Sequence, residues 1–384
     1  MSRPSLGSVD FNDVATRDWL TQARRERDAL RLGERPLVLL GAGSVLSRDF
    51  VTAMLARGQV AALVDNARAG TSEGGIPVIG DSGVAAVVAQ HPDIIGVMCC
   101  GSENAIAHFS RVWAATDRPL LTYFAVLAAL PGLVPTGSPL RLIDAFADEA
   151  RVFAEHAATL DAFMDTESRR TLDALMLYRL TWDQHWLDAV RMPEKSIYFA
   201  DGLLPIGEDE VLVDGGAYDG DTVRAFSARV GGRYRHIHAF ELDPDNARKF
   251  AAKSGDMPNV TLHACGLWDG PARVNLKGEI DLGRRIDASL PGQHRLEALD
   301  DLDIGPVTLI KLDVEGAEAN ALRGARQTIA RHRPNMAVCT YHRPDDLSVL
   351  TGALRDLPGG YRLKLRHHSP ILFDSVIYAV WPLP

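Results

Sequence analysis

Short apolar runs alternate with helix-forming stretches twice along this chain, and that rhythm restricts the fold more than any other feature. From Pro36 the apolar runs fall at 37–40, 60–64, 94–99 and 120–124, with helix-like segments at 45–56, 81–90 and 102–115 between them. Strand then helix, repeated, builds an open parallel sheet covered on both faces. The alternation restarts at Glu210 and continues to the C-terminus. It closes with two β-rich runs, 361–365 and 375–381, which predict an antiparallel hairpin at one edge of the second sheet. Between the two series, 140–192 carries Ala, Leu, Glu and Arg at helical spacing. The expected organisation is therefore an N-terminal helical segment over 1–35, an α/β domain over 36–138, a helical connector over 139–195 and a second α/β domain over 196–384.

With 384 residues the chain is long enough for each domain to bury its own core. Its formal charge of −9 gives a surface that repels a phosphate backbone, so nucleic acid is not expected as a partner. The most apolar window, 120–134, is interrupted by Thr122, Tyr123 and Pro131 and is shorter than the roughly 20 residues of a membrane helix. It reads as core, and no membrane span is expected. The N-terminus opens polar, with Arg3, Asp10, Asn12 and Asp13, which points to a cytoplasmic location. Cys99, Cys100, Cys265 and Cys339 show no metal or redox spacing and read as buried thiols.

Chemistry concentrates in the second half. Residues 211–222 read as an apolar strand, Val-Leu-Val, then Asp214, Gly215, Gly216, Ala217, Tyr218, Asp219 and Gly220, then a helix capped by Asp221 or Thr222. The glycines admit a ligand close to the backbone, and the helix N-terminal amides present donors. Glu241 ends the next strand, where a carboxylate accepts the hydroxyls of a ribose in nucleotide-binding α/β folds. A third strand leads into 264–270, which holds Cys265, Gly266 and Trp268, and a fourth ends in Asp313-Val314-Glu315-Gly316-Ala317-Glu318. Ligands in such sheets bind beyond the carboxyl ends of the strands, and all four loops fall on that edge.

These pieces, 213–220, Phe240-Glu241, 296–302 and above all Lys311-Leu312-Asp313-Val314-Glu315-Gly316-Ala317-Glu318, resemble the FkbM-type methyltransferases, a branch of the class I enzymes. The resemblance spans about 196–384. It implies a class I methyltransferase sheet in the second domain; with the strand–helix pattern of the first, the expected fold is two Rossmann-like α/β domains joined by a helical connector. It implies S-adenosylmethionine as cofactor, with Asp214 near the methionine amine and Gly216 and Gly220 along the methionine tail. Glu241 is then placed on the ribose, and Leu242 and the Cys265 to Trp268 loop beside the adenine. Gly215, Ala217, Tyr218, Thr222 and Gly266 complete the expected cofactor site.

The implied reaction is an O-methylation of a hydroxyl on a small-molecule or glycan acceptor, a sugar or secondary metabolite. Holding acceptor and methyl in line is the larger part of such catalysis. A base adds to it. The candidates are His342, as a neutral imidazole after the apolar run 336–340, and Asp313, with Glu315 orienting the substrate; no metal is assigned. His367 and His368 read as a surface pair. In the first domain Gly41-Ala42-Gly43 and Asp65 approach a dinucleotide fingerprint, but Ser47 stands where a third small residue belongs. That domain is also similar to the small nucleotide-sugar-binding domains of sugar-modifying acyltransferases, which leaves a nicotinamide-dependent oxidoreductase or a nucleotide-sugar-binding protein as the alternative.

Overall fold

The computed structural model describes residues 2–136, 138–277, 285–287 and 292–382. The chain divides into two compact units. Met1–Ala157, Arg170–Arg191 and Ser369–Leu372 form one, and Ala158–Arg169, Met192–His368 and Phe373–Pro384 form the other.

In the first unit, helix α1 (Val14–Asp28) starts at Asp13, whose carboxylate accepts the Thr16 amide, and it buries Trp19 and Leu20. Strands β1 (Leu37–Leu40), β2 (Val60–Val64), β3 (Ser72–Glu73), β4 (Ile76–Ile79), β5 (Ile95–Met98) and β6 (Leu120–Thr122) make one sheet in the order β3-β4-β2-β1-β5-β6. All pairings are parallel except β3 with β4. The helices between them are α2 (Arg48–Arg57), α3 (Val84–Gln90), α4 (Glu103–Ala114) and α5 (Tyr123–Ala129). The last differs from the sequence expectation, which carried the strand to Phe124. Thr122 ends β6 and caps α5 by accepting the Ala125 amide at 3.3 Å. Residues 123–127 of that helix are buried on all sides, and an apolar run of that kind has no period to separate helix from strand.

Helices α6 (Leu142–Phe146), α7 (Glu149–Thr159), α8 (Thr166–Thr181) and α9 (His185–Asp188) bear out the helical character of the connector. Much of it packs as part of the first unit. Phe11 stacks on Phe153 at 4.9 Å and Trp19 meets Trp186 edge-on at 5.6 Å. Buried Asp173 accepts the amides of Gly7 and Val9 and lies 2.8 Å from His156. Such a satisfied polar network fixes the N-terminal segment to these helices.

The second unit is built on β7 (Val211–Gly215), β8 (His236–Phe240), β9 (Val260–His263), β10 (Gly266–Leu267), β11 (Ala272–Lys277), β12 (Arg285–Asp287), β13 (His294–Glu297), β14 (Leu309–Leu312), β15 (Asn335–Cys339), β16 (Arg362–His367) and β17 (Ser375–Val380). Its main sheet has the order β16-β17-β15-β14-β7-β8-β9, and β10 to β13 form a smaller one. From β15 to β9 the strands are parallel, while β17 runs antiparallel between β15 and β16. The edge hairpin expected from the sequence is present. Leu212, Phe226, Ile237, Phe250, Leu309 and Tyr378 are among the side chains of the core between sheet and helices.

Helix α10 (Asp221–Arg229) does not take Asp221 or Thr222 as its cap. Gly220 occupies that place at φ +86°, where a Cβ would stand 2.3 Å from Ser254 Oγ. Helix α11 (Pro244–Ser254) is capped by Asp243, and α12 (Glu318–Gly324), α13 (Arg326–His332) and α14 (Asp346–Arg355) follow. His367 and His368 are fully buried rather than surface groups. His367 ends β16 beside Ser375 Oγ at 3.0 Å and His368 lies 2.8 Å from the Tyr378 hydroxyl, so hairpin pairing carries both inside. All four cysteines are buried and unpaired, as expected. Among the described residues no helix is long and apolar enough to cross a membrane.

Candidate active site

Parallel strands bring their carboxyl ends to one edge, and there the loops after β7, β8, β9 and β14 surround a cavity of about 420 Å³. Gly216, Tyr218 and Thr222 line it from the first loop, Glu241 and Leu242 from the second, Gly266 from the third, and Asp313 and Glu315 from the fourth. Eight of the residues singled out in the sequence thus meet in one place. Tyr198, Tyr218, Glu315 and Asp374, also in the lining, hold φ between +47° and +69°. Side chains seldom adopt that region, and strain of this kind persists where surrounding structure enforces it.

Glu241 ties two loops together. One carboxylate oxygen accepts the Tyr218 amide at 2.7 Å and the other the Asp243 amide at 2.7 Å. Each oxygen keeps a second lone pair, enough for a diol. Burial raises this carboxyl to about 7, against the pull of the two amides and of Lys311.

Asp214 is not in the lining. Register places Lys311 of β14 opposite it, and the two side chains form an ion pair at 3.0 Å with almost no exposure. Burial raises the Asp214 carboxyl to about 6, while Lys311 opposes that rise. The Lys311 ammonium also donates to the carbonyls of Gly215 and Gly216 at 3.2 and 2.8 Å, so it fastens the turn from below. Asp214 is thus paired with Lys311, and Lys311 itself reaches the lining. Gly216 has a structural reason as well: at φ +77° its Cβ would lie 1.8 Å from the Asp313 carbonyl oxygen. The close approach of the β7 and β14 loops requires glycine there. Gly215, Ala217, Gly220 and Cys265 likewise support the turn or the core and stay out of the lining.

Beside the cavity lies a cluster of carboxylates around one histidine. The Tyr198 hydroxyl donates to Asp313 Oδ2 at 2.8 Å and the Tyr341 hydroxyl to Oδ1 at 3.1 Å. His342 Nε2 is 3.3 Å from Asp313 and 3.7 Å from Glu315, and its Nδ1 is 3.0 Å from buried Glu318. Burial alone would lower His342, but Glu318, Glu315 and Asp313 overturn this and raise it to about 10. That shift favours the imidazolium over the neutral imidazole expected from the sequence, and an imidazolium has no lone pair for a hydroxyl proton. For Asp313, burial works upward, yet Lys311, His342 and the two tyrosine hydroxyls hold the carboxyl below its ordinary range. Asp313, Glu318 and His342 offer ligand atoms within 4.8 Å of one another, the reach of a cation site. His342 and Trp268 line a neighbouring cavity of about 320 Å³ together with Glu315.

Lys311, Tyr341 and Glu318 were not among the expected site residues. Lys311 and Glu318 lie within the 311–318 motif, and a lysine inside an apolar strand is a signal in itself, because a buried ammonium needs a partner.

Residues 214–363 match the family described as the methyltransferase FkbM domain. No curated protein matches the chain. Among solved structures, methyltransferase FkbM from Methylobacillus flagellatus KT is 24% identical, with 94% of this chain and 98% of that chain covered at a TM-score of 0.71, which shows a shared fold. An rRNA methylase from Streptococcus thermophilus is 13% identical over 45% of this chain and 87% of that one, at a TM-score of 0.30. Fibrillarin from Aeropyrum pernix, in complex with natively bound S-adenosyl-L-methionine, is 19% identical over 45% of this chain and 67% of that one, also at 0.30. Most of the residues that line the carboxyl-edge cavity, Glu241, Asp313 and Glu315 among them, fall within the stretch 214–363 that is similar to the methyltransferase FkbM domain.

Proposed function

We propose that the second unit binds S-adenosylmethionine in the carboxyl-edge cavity and methylates a hydroxyl of a small-molecule or glycan acceptor. The observation that carries this reading is the convergence in one cavity of Glu241, joined to the Tyr218 amide, with Asp313 and Glu315. Glu241 holds the ribose hydroxyls, Tyr218 and Leu242 flank the adenosine, and Gly216 and Thr222 border the methionine end. The sulfonium supplies a methyl group already activated for in-line displacement.

What remains for the protein is to orient the acceptor and receive one proton. Asp313 receives it. A low-basicity carboxylate suffices, because a hydroxyl oxygen that has begun to bond carbon becomes a strong acid. Asp313 would take up that hydroxyl proton while the sulfonium, when bound, would supply the methyl group. His342, as an imidazolium, keeps Asp313 ionised and aimed, and Glu315 accepts a second acceptor hydroxyl.

Calorimetry with S-adenosylhomocysteine, followed by transfer of labelled methyl to a panel of hydroxylated acceptors, tests both halves. Saturable binding with label on oxygen is the expected result. Label on nitrogen or carbon would overturn the O-methyl assignment, and absence of binding would overturn the cofactor assignment.

A further inference from the structure

The first unit contains a cavity of about 270 Å³ at the carboxyl ends of β5 and β6. Ile106, Leu120, Leu121 and Ile371 give it apolar walls. Four other residues of its lining carry buried polar atoms without a hydrogen-bond partner: Arg27 Nε, Tyr123 Oη, Trp182 Nε1 and Gln184 Oε1. Buried polar groups in a folded protein are nearly always satisfied, so four around one cavity mark a place where a ligand completes the bonding.

Trp182 adds backbone evidence. It follows the last residue of α8 at φ +57°, a position that favours glycine, and its amide donates to the Tyr178 carbonyl at 2.6 Å. A bulky side chain held in that conformation keeps the indole in the cavity wall.

The donors define the ligand. Trp182 Nε1 and Arg27 Nε can only donate, and the guanidinium brings a full positive charge. Its nearest carboxylate, Asp28, lies 3.4 Å away and is largely exposed. Asp183, also in the lining, is occupied elsewhere: it pairs with Arg3 at 2.9 Å and accepts the His185 amide. Gln184 Nε2 is fixed by the Pro370 carbonyl at 2.7 Å, which leaves Oε1 as an acceptor. A guanidinium whose paired carboxylate is largely exposed, set beside a buried indole donor and apolar walls, matches an anion on an apolar body.

We propose that this cavity is a ligand site for a small apolar carboxylate, held by Arg27 and Trp182 and separate from the carboxyl-edge cavity of the second unit. Calorimetric titration of the full chain with phenylacetate, and with phenylacetamide as its uncharged counterpart, tests it. Phenylacetate is expected to bind at one equivalent, unaffected by saturating S-adenosylhomocysteine. Both Arg27→Gln and replacement of the probe by the amide should weaken binding by about tenfold or more, as expected for loss of a charge-assisted contact. Ile106→Trp, which fills the cavity, should abolish binding while the thermal unfolding temperature stays within a few degrees. Absence of saturable phenylacetate binding, equal affinity for the amide, competition by S-adenosylhomocysteine, or full binding to a folded Ile106→Trp protein would each overturn the proposal.

Discussion

Two turns in this protein begin alike and finish differently. After β1, Gly41, Ala42 and Gly43 lead into a helical turn, with Asp65 just beyond the next strand; after β7, Gly215, Gly216 and Gly220 lead into α10, with Glu241 just beyond the next strand. In the second unit the acidic side chain reaches across and takes the Tyr218 amide. In the first it turns back on its own loop, where Asp65 Oδ1 accepts the Ala67 amide at 3.0 Å. Ser47 then donates to the Cys99 carbonyl at 2.6 Å, joining the turn to the end of β5. That strand ends in two thiols, where β14 ends in Asp313. Glycine spacing sets the path of the turn. The ends of the neighbouring strands set the chemistry.

The comparison breaks most readily at Asp313. Asp313→Asn keeps the shape but removes the proton acceptor, so turnover should fall by roughly 10²- to 10⁴-fold while S-adenosylhomocysteine affinity stays within about twofold. Single-turnover kinetics beside calorimetry separates the two quantities, and normal turnover would leave the strand-end carboxylate without a chemical role.

His342→Ala comes next and is read in stability. Removal of the imidazolium leaves buried Glu318 without its counter-charge, a loss of about 3–5 kcal/mol at neutral pH. Because the folded-state value of His342 is raised to about 10, its contribution is complete below the ordinary imidazole value and disappears as pH rises through 10. Chemical denaturation of both proteins across that range should show the gap closing. A gap that widens with pH would mean that the histidine is neutral after all.

Much of this architecture was legible in advance for physical reasons. Alternating apolar strands and helices are dictated by a sheet buried on both faces, and the loops at one edge follow from parallel pairing. What escaped depends on register and reach. That Lys311 neutralises Asp214 follows only from β14 lying beside β7 with those residues opposite each other. The hold of Tyr198 on Asp313 spans distant parts of the sequence. The charge on His342 follows from three carboxylates gathered in space, two of them carried on the loop that follows β14. Tyr123 and Phe124 misled for the opposite reason, since they open a helical stretch, 123–127, that is buried throughout and has no polar face to reveal it.

Glu241→Ala should weaken S-adenosylhomocysteine binding by about 1.5–3 kcal/mol, the range for hydrogen bonds to a charged acceptor. The wild-type affinity should itself fall as pH drops through about 7, because protonation removes acceptor capacity from a carboxyl that burial has raised. Calorimetry on either side of that pH checks the sign, and an affinity that rises on acidification would contradict the ribose assignment.

The smallest effect is expected at the counterpart in the first unit. Asp65→Ala removes one partly exposed contact to the Ala67 amide, so stability should fall by about 0.5–1.5 kcal/mol, the net value of an ordinary hydrogen bond. S-adenosylhomocysteine affinity should not change, because the carboxylate serves its own loop. The sharper experiment repeats the pair of substitutions against NAD. If NAD raises the thermal unfolding temperature and Asp65→Ala removes that shift while Glu241→Ala does not, the first turn binds a ribose in its own right. The contrast between the two units would then lie in which nucleotide each accepts rather than in whether each accepts one.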